Sequence, residues 1–147
     1  MASIMLCVDF SRQTKKTVEA AIDLARAFEL PIHVVHVRTG TTGTKHVVTS
    51  EAYQTLQAKQ VADEQQAFAT VVGAVEASGL SVTSYMSRGD IVDVIVGQAR
   101  KVDARYLVMG AHGTGAMYHL VVGSVAGGVL KELDTPVLLV PGSRQAS

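Results

Sequence analysis

The stretch with most to offer chemically is GAHGTGAMYHLVVGSVAGG, which begins at Gly110 and ends at Gly128 and holds six of the chain's thirteen glycines. It follows a short apolar run and leads into a helical one. Glycine there permits positive φ and lets a ligand lie against the main chain. A helix opening at Ser124 presents unpaired N–H groups and the positive end of its dipole, with the Ser124 hydroxyl beside them. That is an anion site, most simply for phosphate. The chain has thirteen Asp and Glu, yet none falls between Ala104 and Lys131, so no carboxylate there would repel such a ligand. Glycine-rich, uncharged loops also occur in α/β domains without any ligand, so the loop alone leaves both readings open.

The familiar phosphate motifs do not fit. GxxxxGK[ST] is absent, because Gly123-Ser124 has no Lys, and GxGxxG fails at Tyr118, where the third glycine belongs. No Lys or Arg lies between Tyr106 and Leu130. A phosphate would therefore rest on backbone amides, Ser124 and Thr114, with a metal supplying positive charge. Mg²⁺ held by one or two carboxylates and phosphate oxygens is the usual arrangement. Asp9, at the end of the first apolar run, is the available carboxylate. Its competing role is to cap the next helix or close a turn.

These residues need a scaffold, and the chain alternates short apolar runs with helical periodicities, the mark of βαβ units and a parallel sheet. Strands are expected at Ser3 to Val8, Ile32 to Val37, Leu80 to Met86, Arg105 to Met109 and Pro136 to Val140. The first helix should start near Ser11, a candidate N-cap, and run to about Glu29. The second spans about Glu51 to Ala77, with Leu56, Val61, Phe68, Val72 and Val75 as its buried stripe and Gly79 as its stop. Gly89-Asp90 caps the third, Ile91 to Lys101. The fourth is about Ser124 to Leu133. Residues 39–50, rich in Gly, Thr and Ser, read as a flexible loop. If the winding reverses between strands one and four, Asp9 and the Gly110 loop share the crevice at the strands' carboxyl ends.

Composition narrows the function classes. The 147 residues are 48% hydrophobic and 18% charged, a globular balance that fits one domain, residues 1–147. Thirteen basic and thirteen acidic residues give a net charge of +0, which argues against a nucleic-acid groove or a charged membrane patch. One cysteine excludes an internal disulfide framework. No apolar run reaches the roughly 20 residues of a membrane span, so no membrane insertion is expected. The N-terminus lacks the pattern of a signal peptide, which points to a cytoplasmic protein.

At this point a resemblance enters. Gly110-x2-Gly113-x9-Gly123-Ser124 resembles the nucleotide-binding pattern of the universal stress protein family, in its ATP-binding branch. Cys7-Val8-Asp9-Phe10-Ser11 resembles that family's first strand and turn. His36-Val37 resembles the end of its second strand, and Asp134 to Val140 its closing strand. The resemblance covers nearly the whole chain. It implies a five-stranded parallel sheet of order 3-2-1-4-5 with helices on both faces, a Rossmann-like α/β sandwich. It also implies that Val37 contacts adenine through its backbone. Asp9 and Gly110 would lie by the ribose, with Asp9 also near Mg²⁺; Val8 would belong to the nucleotide-binding set, and Met109 would line the pocket. Gly113, Gly123, Ser124 and Val125 would hold the phosphates of ATP or another adenine nucleotide. His112 would bond a phosphate or brace the loop. The family is commonly dimeric through its last strand, and residues 136–140 carry no charge or bulge signal that would protect a free sheet edge.

The expected function is that of an ATP-binding regulatory protein acting through a nucleotide-dependent homodimer or a protein partner the sequence does not name. The alternative is a slow ATP hydrolase. The loop has neither an extra carboxylate nor a cation at the phosphates, so turnover should be slow or absent. A phosphoacceptor receiver domain fails for want of a second acid after strand one and an acceptor Asp ending strand three. His33 and His36, three residues apart in a strand, should face opposite sides and close no zinc site. Cys7 reads as inert core. Lys15, Lys16, Asp63 and Glu64 read as solvated helix faces.

Overall fold

A computed structural model describes residues 1–38, 50–111 and 123–142 of the chain. The elements run β1 (Ser3–Cys7), α1 (Thr14–Phe28), β2 (Ile32–Arg38), α2 (Glu51–Ala77), β3 (Val82–Arg88), α3 (Ile91–Lys101), β4 (Ala104–Gly110), α4 (Ser124–Glu132) and β5 (Val137–Val140). The strands form one parallel sheet of order β3-β2-β1-β4-β5. β1 is the switch point: it pairs β2 with Ile4 opposite Ile32 and β4 with Leu6 opposite Val108.

Period-2 alternation distributes the apolar residues of the central strands between two cores. Ile4, Leu6, Val8, Ile32 and Val34 pack on one face against Val18, Ala21 and Ala25 of α1 and Phe68, Val71 and Val75 of α2. Met5, Cys7, Val35, Val37, Leu107 and Met109 pack on the other against Ile95 and Ala99 of α3 and Ala126 and Val129 of α4. A strand covered on both faces must be apolar throughout, as β1 is.

Capping agrees with the local sequence at α2 and α3. Ser50 Oγ accepts from Tyr53 N at 3.2 Å and Asp90 Oδ1 accepts from Asp93 N at 3.0 Å. Gly79, just beyond α2, takes φ +85, a backbone conformation that suits glycine. Ser11 is not the N-cap of α1. The helix begins after Gln13, with no side-chain cap. Ser11 instead sits in a turn, its carbonyl accepting from Thr14 N at 3.1 Å.

The stripe expected on α2 holds only in its C-terminal half. Phe68, Val71 and Val75 are buried, but Leu56 is 55% exposed and Val61 is only partly buried. The 27-residue helix is about 40 Å long, whereas a seven-residue strand spans about 23 Å. Its first half therefore overhangs the sheet. Residues 39–49, the tail after Gly142, and His112, Gly113, Thr114, Tyr118 and His119 lie outside the described residues.

Candidate functional site

A cavity of about 570 Å³ opens at the carboxyl ends of the strands, across the switch point. Val8, Asp9, Val37, Met109, Gly110, Gly123, Ser124 and Val125 all line it. Of the positions singled out from sequence, His112 and Gly113 lie outside the described residues.

Each wall has a local cause. The chain leaves β1 after Val8, whose N–H donates to Val35 O at 3.0 Å. Phe10 then turns it away at φ 61. Asp9 is exposed at that turn, and its Oδ1 accepts from Ser11 N at 3.0 Å. The turn-closing role is thus present, and one carboxylate oxygen stays free of that bond. In a strand, carbonyls alternate in direction. Since Val35 O faces β1, Val37 O faces the same side, beyond the point where β1 has departed.

The α4 end presents backbone donors. Gly127 N bonds Gly123 O at 2.9 Å, the first helical bond. The N–H groups of Ser124, Val125 and Ala126 precede it, and among the described residues no side chain caps them; the first turn itself holds no acid. The loop's ends are pinned to the sheet, Ala111 N to Val140 O at 2.8 Å and Gly123 N to Ala111 O at 2.7 Å. At Gly110 a Cβ would come within 2.5 Å of the Gln13 side-chain amide, so the Gln13 side chain as it stands packs against a bare main chain here.

The opposite side of the cavity is polar, and sequence reasoning missed it. Arg38 ends β2 and its guanidinium pairs with Glu64 of α2. Glu64 is not the free solvated charge expected of it. His36 beside them binds Val8 O through Nδ1 at 2.8 Å. The partners are 26 and 28 residues apart in the chain, so no local spacing announces them. His33 lies on the other face as expected, bonded to Thr83 Oγ1 at 2.5 Å and held below its ordinary pKa by burial. Burial also pushes the Cys7 thiol up to about 12, which keeps it protonated and inert.

The donor set suits some ligands and not others. Arg38 is the cation among the described lining residues, and Glu64 occupies it. Among the described residues no three His, Cys, Asp or Glu gather into a metal centre. Close to Asp9 along the chain, the buried oxygens Ser11 Oγ, Gln13 Oε1 and Thr14 Oγ1 have no hydrogen-bond partner among the described residues, and Thr14 lines the cavity with Asp9. One exposed carboxylate at the cavity, with the Thr14 side chain on the same lining, fits a cation that brings most of its own ligands, as Mg²⁺ does with water and phosphate.

The model of the universal stress protein family matches residues 1–141. The chain belongs to this family. The universal stress protein MJ0531 of Methanocaldococcus jannaschii is 25% identical over 137 residues, 93% of this chain and 80% of its own length. Among solved structures, hypothetical protein MJ0577 superposes with a TM-score of 0.76 at 21% identity, covering 97% of this chain and 98% of its own. The universal stress protein from Archaeoglobus fulgidus, solved in complex with dAMP, gives 0.69 at 22% identity, covering 95% and 97%. These solved structures share the fold of this universal stress protein, including the five-stranded order read above. No helix among the described residues is long and apolar enough to cross a membrane.

Proposed function

We propose that this universal stress protein binds an adenine nucleotide, ATP with Mg²⁺, and acts as a regulator rather than an enzyme. The observation that carries the reading is the opening of α4. Ser124, Val125 and Ala126, whose N–H groups have no side-chain cap among the described residues, line a cavity that Asp9 also lines. Backbone dipoles at a helix N-terminus bind phosphate without a cationic side chain. Asp9, with Thr14 beside it on the cavity lining, would hold Mg²⁺, which supplies the positive charge the phosphates need. The Val37 carbonyl would accept from the base. The dAMP bound by the Archaeoglobus fulgidus protein supports an adenine nucleotide as the ligand class.

The regulatory part follows from the edges of the sheet. β5 is an edge strand of four apolar residues, with Leu138 41% exposed. Pairing with a second copy across a two-fold axis would cover it. Gly110 pairs with Val140 at the end of β5, and Ala111 N also bonds Val140 O. Phosphates at the loop that starts there would thus be felt at the dimer edge.

The test is equilibrium binding of ATP with and without Mg²⁺, by calorimetry, to wild type and Gly123→Val. A branched side chain at the mouth of α4 should weaken ATP at least tenfold, about 1.4 kcal/mol, while the unfolding midpoint moves little. Equal affinity in the two proteins, or no binding by wild type, would overturn the assignment. Turnover of ATP above roughly 1 per second would overturn the regulatory reading in favour of hydrolysis.

A further inference from the structure

His36 has no part in the reading above, yet the structure ties it on several sides. The residue is 7% exposed. Its Nδ1 lies 2.8 Å from the Val8 carbonyl oxygen, which only accepts, so Nδ1 carries the hydrogen. Its Nε2 has no hydrogen-bond partner and stands 3.9 Å from the Glu64 carboxylate, itself gripped by Arg38. The ring packs 4.3 Å from Phe10 and 6.4 Å from Phe68. Val8 and Phe10 flank Asp9, and Phe10 is a bulky residue at φ 61. A side chain in that region persists only where its surroundings hold it there. The register of β1 with β2 ends at Cys7 opposite Val35, so strand pairing does not extend to the turn.

We propose that His36 is a positioning residue. It binds the Val8 carbonyl and backs the Phe10 ring, and so holds the left-handed turn that aims Asp9 into the cavity. Glu64, held by Arg38 of β2, stands beside the ring from the α2 side and ties that helix to the turn. The effect on ligand affinity rests on the proposed nucleotide site; the hold on the turn does not.

Three variants separate the contacts. His36→Asn puts an amide nitrogen where Nδ1 stood and keeps the donor to Val8. His36→Gln reaches the place of Nε2 and loses that donor. His36→Leu loses both. Amide hydrogen exchange at residues 9–11, relative to Leu6 and Val34, is read by NMR on ligand-free protein, and ATP affinity is read with Mg²⁺. Exchange at 9–11 should rise about tenfold in the Gln and Leu variants, the scale of one lost hydrogen bond, with a similar loss of affinity. The Asn variant should stay near wild type in both. Unchanged exchange in the Gln variant, or an Asn variant as impaired as Gln, would overturn the proposal. The Asn and Gln pair decides the matter even if the Leu variant does not fold. Wild type that fails to bind ATP would refute the nucleotide site, and the amides would still judge His36.

Discussion

Gly127 and Gly128 are adjacent residues of one helix, yet the structure assigns opposite outcomes to replacing them with Ala. A Cβ on Gly127 meets nothing within 4 Å. A Cβ on Gly128 would lie 2.8 Å from Val92 Cγ2 and 3.4 Å from Cγ1. Val92 belongs to α3, packs into the second core and is stiff about χ1, so it cannot swing clear. Both substitutions gain helix propensity, about 0.8–1.0 kcal/mol. Only Gly128→Ala adds overpacking, about 1–3 kcal/mol. Gly127→Ala should therefore stabilise by nearly 1 kcal/mol, about 2–4 °C in melting temperature for a domain this size. Gly128→Ala should come out neutral to about 2 kcal/mol destabilising. The difference between the variants cancels the propensity gain and isolates the approach of α4 to α3. Urea unfolding midpoints at constant m-value measure it. Equal midpoint shifts would refute the packing argument, and with it the claim that Gly128 sets how close α4, and hence Ser124, sits to α3.

Further outcomes follow from single residues. The carbonyls of Pro136 and Val140 accept from Leu107 N of β4 and from Ala111 N just beyond it, so by alternation the Leu139 N–H faces the open edge. Leu139→Pro should abolish self-association through β5 while leaving the β4 ladder; light scattering that shows an unchanged oligomer would refute pairing at this edge. With its thiol pushed up to about 12, Cys7 should resist thiol reagents in native protein at pH 8 and react only on unfolding. Its sign also predicts falling stability as pH rises above 9.0, because the unfolded thiol loses its proton first. His33 has a folded pKa below 6.5, so the unfolded state takes up the proton first on acidification. Stability should fall as pH drops below 6.5, and His33→Gln should flatten that slope in a pH series of unfolding midpoints.

What the sequence by itself determined is what depends on neighbours along the chain. Apolar runs and helical periodicity located every strand and helix, because burial on two faces and the 3.6-residue repeat both leave local traces. Ser50, Asp90 and Gly79 could be read as caps for the same reason. The ordered spacing of Gly110, Gly123 and Ser124 marked one wall of the cavity before any coordinates. What tertiary structure alone decided is what joins distant segments. Leu56 reads like Phe68 in a helical pattern, but only the finite length of the strands under α2 tells which is covered. Glu64 looks like any surface charge until β2 delivers Arg38 to it. His36 closes no ligand set in the sequence, and its role appears only where β1 turns away above it and leaves the Val8 carbonyl to its Nδ1. Contacts across 26 and 28 residues carry no periodicity, so their energy is invisible to a pattern and appears only when the sheet sets the strands side by side.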